Sequence, residues 1–328
     1  MSRRVVRSLP AQPLSSLRLG LCCQFAEHPV RFRTTTATSL LKLERPARLH
    51  KLSELCRANA ASLLAALTFC HEHGIGCFRV SSKIWPLKTH PDVGYEIADL
   101  PEAEEIAAAF RRCGAFAVCH GLRVCFHPDQ FVVLNSPRED VVRKSLAELE
   151  YQAEVAAWIG ADVINIHAGG GYGDKVAALA TFERSLDRLS DAVRTRLTLE
   201  NDDTVYTPAD LLPICHAAGL PLVYDVHHHR CLRDAMTVEE ATAAAFATWA
   251  REPLFHISSP IEGWQGAWPR RHHDYIDLAD FPDAWRQLPM TIEVEAKAKE
   301  LAVLRLRKEL TGSPARASGP SSGRAAKR

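Results

Sequence analysis

The 328-residue chain lacks several features that would assign it quickly to a class. No apolar stretch approaches the ~20 residues that a membrane-spanning helix needs, so no membrane partner is expected. Neither sign of charge dominates. Forty Lys and Arg against 39 Asp and Glu leave +1, which excludes a generally basic surface while leaving room for a local basic groove. None of the ten cysteines stands in a C-x-x-C pair, and Cys22, Cys23, Cys77, Cys119 and Cys125 lie in apolar runs. That pattern argues against a zinc ribbon or a disulfide framework and for reduced thiols in the cytoplasm. No G-x-G-x-x-G follows the first strand-like run. The glycine loop "HAGGGYGDK" (His167–Lys175) does not match G-x-x-x-x-G-K-[ST], so no nucleotide cofactor is expected. Acids are missing from residues 1–17, which read as a disordered extension; the segment is short and proline-broken for a transit peptide. Residues 311–328 are Gly/Ser/Pro-rich and basic, and read as a disordered tail.

Between these ends an alternation repeats. Eight short apolar runs rich in β-branched residues end at Phe25, Ser82, His127, Ala168, Asn201, His227, Ser259 and Ala296. Longer amphipathic segments lie between most of them, at Leu52–His73, Glu102–His120, Val141–Ile159 and Ala177–Val193. Thr207 followed by Pro208 signals a helix start, with the helix running to about Ala217. The seventh connection shows little helical periodicity before about Pro282. Eight βα units with no break in composition predict one (β/α)8 TIM barrel over residues 18–310, with a doubly wound open sheet as the alternative.

In a barrel of this kind the C-terminal ends of the strands form the active-site face. Strand three ends in His127, strand four in His167, strand five in Glu200, and strand six in Asp225 and His227–His229. Strand seven carries His256, with His272 and His273 in the loop after it, and strand eight ends in Glu293–Glu295. A single strand histidine is ordinarily a hydrogen-bonded core residue. The same residue types at the same end of successive strands mean something else, because burying so many ionisable groups without a cation is costly. Imidazole and carboxylate together suit Zn²⁺, Mn²⁺ or Fe, and there are enough donors for two or three ions. Alternation in an extended strand puts Asp225 and His227 on one face and His228 on the other. If the strand stops at Asp225, His228 is equally eligible.

The pieces "FRVSSKIWPLKTHP", "FHPDQFVVLNSP", "SLAELEYQAEVAAWIGADVINIHAGGGYGDK", "LTLENDD", "VYDVHHHRC" and "VEAKAKE" run in order from Leu19 to about Leu310. They resemble the UV damage endonuclease family, relatives of endonuclease IV. The resemblance implies a barrel with a divalent metal cluster, often Mn²⁺. It implies a repair enzyme that nicks damaged duplex DNA immediately 5′ to cyclobutane dimers and 6–4 products, with abasic sites as a further substrate class; a monomer is expected. Carried over residue by residue, the metal ligands are His127 (of H-P-x-Q), His167, Glu200 as the bridge, Asp225 and His228 (of D-x-x-H), His256, His272 and Glu295. In this grouping His256 and His272 complete a third site. Glu200, Glu295 and His127 take catalytic roles, joined by His90 of "KTHP". Gln130 and Phe131, directly after the H-P pair, are candidate wedges into the gap left by extruded bases. Lys83 and Lys88, with Arg270 and Arg271, are candidate phosphate contacts. Four positions depart from the family pattern. Leu21 and Phe25 stand where members have tyrosine and asparagine, Leu254 where they have lysine, and Phe131 where they have tyrosine. The alternatives are a metal-dependent sugar isomerase or an abasic-site endonuclease on the same barrel, and a non-catalytic damage binder.

Overall fold

A computed structural model describes residues 17–312. The two end segments read as disordered lie outside the described residues, apart from Leu17, Thr311 and Gly312. Eight parallel strands are present: β1 (Arg18–Cys22), β2 (Cys77–Val80), β3 (Arg123–Phe126), β4 (Val163–His167), β5 (Leu197–Glu200), β6 (Leu222–Val223), β7 (Leu254–Ile257) and β8 (Thr291–Val294). Their order is β6-β5-β4-β3-β2-β1-β8-β7. The seam between β6 and β7 has no ladder. It is closed by one parallel bridge, Asp225 with His256, in which the His256 N–H donates to the Tyr224 carbonyl at 3.0 Å. The (β/α)8 barrel expected from the alternation is therefore what forms, and its closing stitch is made by two candidate metal ligands.

Helices Arg45–Glu72, Ala103–Cys119, Glu139–Ile159, Lys175–Leu186, Pro208–Ala218, Val238–Phe246 and Glu300–Gly312 sheathe the strands. The first begins seven residues before the expected Leu52, with a proline in its first turn. The fourth stops at Leu186 because Ser190 starts a new short helix, Asp191–Arg194, its side chain accepting from Val193 N. The last reaches Gly312, two residues past the expected boundary. The seventh connection holds only the 3-10 turns Leu278–Asp280 and Asp283–Gln287 among the described residues, in line with its weak periodicity.

The core has two parts. A large cluster lies between sheet and helices, and a small one gathers Cys77, Cys125, Val163, Val223 and Leu254. These five come from β2, β3, β4, β6 and β7, and only the lumen of a closed barrel brings side chains from such distant strands together. This apolar plug fills the lower lumen, so the polar side chains further along the strands collect at the C-terminal mouth.

The segment after β1 turns sharply at Cys23 (φ 58°), which ends the strand three residues before the expected Phe25. It is then pinned by one carboxylate. Glu300, 2% exposed, accepts from Ala26 N (2.6 Å), Glu27 N (2.8 Å) and His28 N (2.9 Å). Burial opposes the charge, yet these three donors hold the carboxyl below its usual range. Glu300→Ala is expected to destabilise the fold by about 2–4 kcal/mol, because several partly buried N–H groups lose their acceptor. Urea unfolding reads this as a lower midpoint at unchanged slope; an unchanged midpoint would show that the segment is held by other contacts.

Candidate metal centre

Glu200 closes β5 and is completely buried. Its Oε2 lies 2.9 Å from His127 Nε2 and 3.8 Å from His167 Nε2, and accepts from Asn165 Nδ2 at 2.5 Å. Its Oε1 lies 3.1 Å from His256 Nδ1 and 3.4 Å from His228 Nδ1. One carboxylate thus faces imidazoles delivered by β3, β4, β7 and the segment after β6. Donor atoms converge within 4.8 Å of one another in three overlapping groups: His127, Glu200 and His256; Glu200, Asp225 and His228; Asp225, His256 and Glu295. His167 joins through Glu200, and His272 through Glu295, whose Oε2 is 3.8 Å from His272 Nδ1. All eight residues expected as ligands therefore lie in one connected cluster.

The histidine triplet sorts itself for a local reason. The run Leu220–His227, expected as one strand, is extended only at Leu222–Val223, because the Asp225 side chain accepts from His228 N at 2.8 Å and caps a short helix, Val226–Cys231. Helical spacing replaces alternation, so Asp225 and His228, three apart, share a side. His229 turns the other way, its Nδ1 2.7 Å from the Tyr224 hydroxyl and its Nε2 3.0 Å from Asp234. His227 is buried against Trp264 and His272, with ring centroids 5.1 Å away in each case, and burial holds its imidazole below the usual value.

Burial alone would raise the Glu200 carboxyl, but the imidazoles of His256, His167 and His127 hold it well below the usual range. Burial would lower His256, yet Glu200 lifts it to about 10. His228 is raised well above normal against burial, by Asp225 and Glu200, whereas burial wins at His167, which is lowered. These directions describe a pocket that favours positive charge. Within the cluster Asp225 Oδ2 is buried with no hydrogen-bond partner among the described residues, as are His127 Nδ1 and His167 Nδ1, whose rings turn Nε2 towards Glu200. A mixed imidazole–carboxylate set with an unpartnered buried carboxylate oxygen fits divalent ions of the Zn²⁺ and Mn²⁺ kind.

One residue of the site, Arg79, escapes the sequence pattern, and Glu293, placed at the rim end of strand eight, turns out to be its partner and not a member of the three overlapping donor groups. Arg79 of β2 and Glu293 of β8 form a buried ion pair directly beneath the cluster. The signal for Arg79 is a charged residue inside the short apolar run "CFRV".

A groove of about 1330 Å³ opens beside the cluster, with His167 and His228 at its inner end and Lys83, Lys88, His90, Gln130, Phe131 and Tyr172 along it. Phe131 is 75% exposed, so it is a surface aromatic and not part of the core. Gln130 and Lys83 are exposed. The Lys88 ammonium is already engaged, 2.8 Å from Glu96 and 3.9 Å from Glu154, with the side chain only 7% exposed. His90 sits away from the cluster, its Nδ1 accepting from Asp92 N at 3.2 Å. Arg270 faces Asp203 at 3.7 Å. Leu21 and Phe25 are buried in the core between sheet and helices and Leu254 in the lumen plug, and none of the three lines the groove.

The family model described as UV-endonuclease UvdE matches residues 17–317. The UV DNA damage endonuclease of Deinococcus radiodurans is 37% identical over 304 residues, covering 88% of this chain and 94% of that one. The crystal structure of SacUVDE superposes with a TM-score of 0.80 at 28% identity, covering 90% of this chain and 98% of that one. Endonuclease IV from Thermus thermophilus shares the fold, with a TM-score of 0.56 at 14% identity over 90% of this chain and 99% of that one.

Ions that bind the folded cluster and not the unfolded chain must raise stability, by ~2.7 kcal/mol when the free ion is about 100 times its Kd. Mn²⁺ or Zn²⁺ added to metal-stripped protein is expected to raise the thermal midpoint, and Glu200→Gln is expected to lose more than half of that rise. Equal rises in parent and variant would remove Glu200 from the centre of the site.

Proposed function

This chain belongs to the UV-endonuclease UvdE family, and we propose that it is a metal-dependent DNA repair endonuclease that hydrolyses the phosphodiester immediately 5′ to ultraviolet photoproducts. The observation that carries this reading is the buried Glu200, with imidazoles on both oxygens, at the inner end of a groove bordered by an exposed phenylalanine. Divalent ions held there, Mn²⁺ in the reading by resemblance, would supply Lewis-acid neutralisation of the phosphoryl oxygens and an activated water.

The protein's own part is positioning. Glu200 offers one oxygen to the His127 and His167 side and the other to the His228 and His256 side, so it would bridge two ions held there. Asp225 and Glu295 supply the second site with His256, and His272 extends the set outward from Glu295. On this proposal His256 belongs to the inner sites, whereas the reading by resemblance groups it with His272 at a third one. The dry floor fixes these donors before substrate arrives, which lowers the reorganisation required in the transition state.

Selection of damage rests on deformability. A crosslinked dipyrimidine stacks and pairs poorly, so kinking the duplex and extruding it costs less than for intact DNA. Phe131 and Gln130 project from the loop after β3, where they fill the space that extruded bases vacate. Lys83 is free to meet a phosphate, whereas Lys88 reaches one only by leaving Glu96. His90 lies where the backbone passes along the groove.

The experiment is cleavage, in Mn²⁺, of end-labelled duplexes carrying a cyclobutane dimer, a 6–4 product, an abasic site or no damage. A single nick 5′ to the photoproducts is expected, with Glu200→Gln slowed by at least 100-fold. Loss of one stacked aromatic is worth about 1–3 kcal/mol, so Phe131→Ala is expected to lose roughly five- to 150-fold in binding to damaged duplex. Undamaged duplex cut equally well, Glu200→Gln cutting like the parent, or turnover of keto sugars with no nicking would each overturn the proposal.

A further inference from the structure

Arg79 is 7% exposed and lies in the lumen, where the register sets it beside Cys22 of β1 and Cys125 of β3. Its Nε donates to Glu293 Oε2 at 2.7 Å, and its Nη2 donates to the same oxygen and to Glu295 Oε1, the latter at 2.6 Å. One guanidinium thus holds Glu293 of β8 and Glu295 just past its end, two residues apart on the same side. The consequences for the two differ. Glu293 Oε2 is also 2.8 Å from His256 Nε2, and its Oε1 accepts from Cys125 Sγ at 2.8 Å. Both of its oxygens are spoken for, so none is left for an ion. Glu295 keeps Oε2 free on the side of His272. Room for the pair comes from Gly20 of β1, where a methyl group would meet Cys77 Cβ at 3.2 Å and Glu293 Cγ at 3.3 Å.

The same contact sets the histidine. With an ion in place and Nε2–H donating to Glu293, His256 would present the Nδ1 lone pair to that ion beside Glu200 and Glu295, whose nearest oxygens are 3.1 and 3.5 Å away; Arg79 Nη2 also lies 3.3 Å from Nε2. A metal-ligating histidine whose second nitrogen donates to a carboxylate has a fixed tautomer and ring orientation. Here that carboxylate is itself clamped, by an arginine that stays protonated at any working pH.

We propose that Arg79 is a positioning residue of the metal centre. It neutralises Glu293 and dedicates it to orienting His256, and it holds one oxygen of Glu295 so that the other is left as a ligand. This rests on the reading of the cluster as a metal site. The competing account is that Arg79 only pairs a buried charge, and a stability measurement beside a binding measurement separates the two.

The test compares the parent with Arg79→Lys and Arg79→Met/Glu293→Gln. Mn²⁺ affinity and stoichiometry are followed by paramagnetic resonance, and metal-free stability by urea unfolding. The double variant removes cation and anion together, so its metal-free midpoint should stay near the parent's while its Mn²⁺ affinity falls about 10- to 100-fold. Arg79→Lys keeps the charge but cannot span two carboxylates, and it should also weaken Mn²⁺ binding by tenfold or more. If the double variant does not fold, the lysine variant decides by the same criterion. Parent-like affinity and stoichiometry in the folded variants would overturn the role of Arg79 while leaving the metal site intact. A parent protein that takes up no Mn²⁺ at all would instead overturn the metal reading beneath it.

Discussion

A carboxylate removed from water has to be compensated, and the mouth of this barrel contains three that are buried, Glu200, Asp225 and Glu293, with the partly exposed Glu295 beside them. One guanidinium, Arg79, answers two of them. The rest face imidazoles, which are cationic only when protonated and are poor compensation for a charge deep in the protein. This residual negative charge is the constraint around which the site is arranged. It explains why histidines arrive from four directions, why donors such as Asp225 Oδ2 remain unpartnered, and why divalent cations are the natural complement.

Fold and site are not separable here. The β6–β7 seam closes through the bridge between Asp225 and His256, two members of the donor groups. The apolar plug below, with Leu254 and the cysteines of β2 and β3, keeps the lumen dry beneath the cluster and so strengthens every electrostatic contact above it. The lid of that plug is polar and ordered: Cys125 donates to Glu293, Glu293 faces His256, and His256 faces Glu200. A chain of contacts therefore links the barrel's interior packing to the carboxylate at its centre.

Much of this is legible in the sequence, for identifiable reasons. Strands buried on both faces read as continuous apolar runs, so all eight stand out, and a polar residue at the end of such a run marks the rim. His127, His167 and Glu200 are found that way. The region after β6 is harder, because an aspartate that caps a helix looks, in one dimension, like one more strand residue; only its hydrogen bond to His228 N reveals the change of period. Arg79 is hidden differently, since it makes sense only beside Glu293 and 214 residues separate the two. The pairing of Lys88 with Glu96 and the exposure of Phe131 depend on how a loop folds back, which periodicity does not encode.

On the proposed function, side chains from distant strands converge to hold several divalent ions around Glu200. Crystals grown in Mn²⁺, with anomalous data collected on both sides of the manganese absorption edge, test it most directly. The account predicts two or three manganese peaks within the cluster outlined by His127, His167, Asp225, His228, His272 and Glu295, two of them sharing Glu200. A map with no manganese peak beside Glu200, at an ion concentration that saturates the protein in solution, would contradict it.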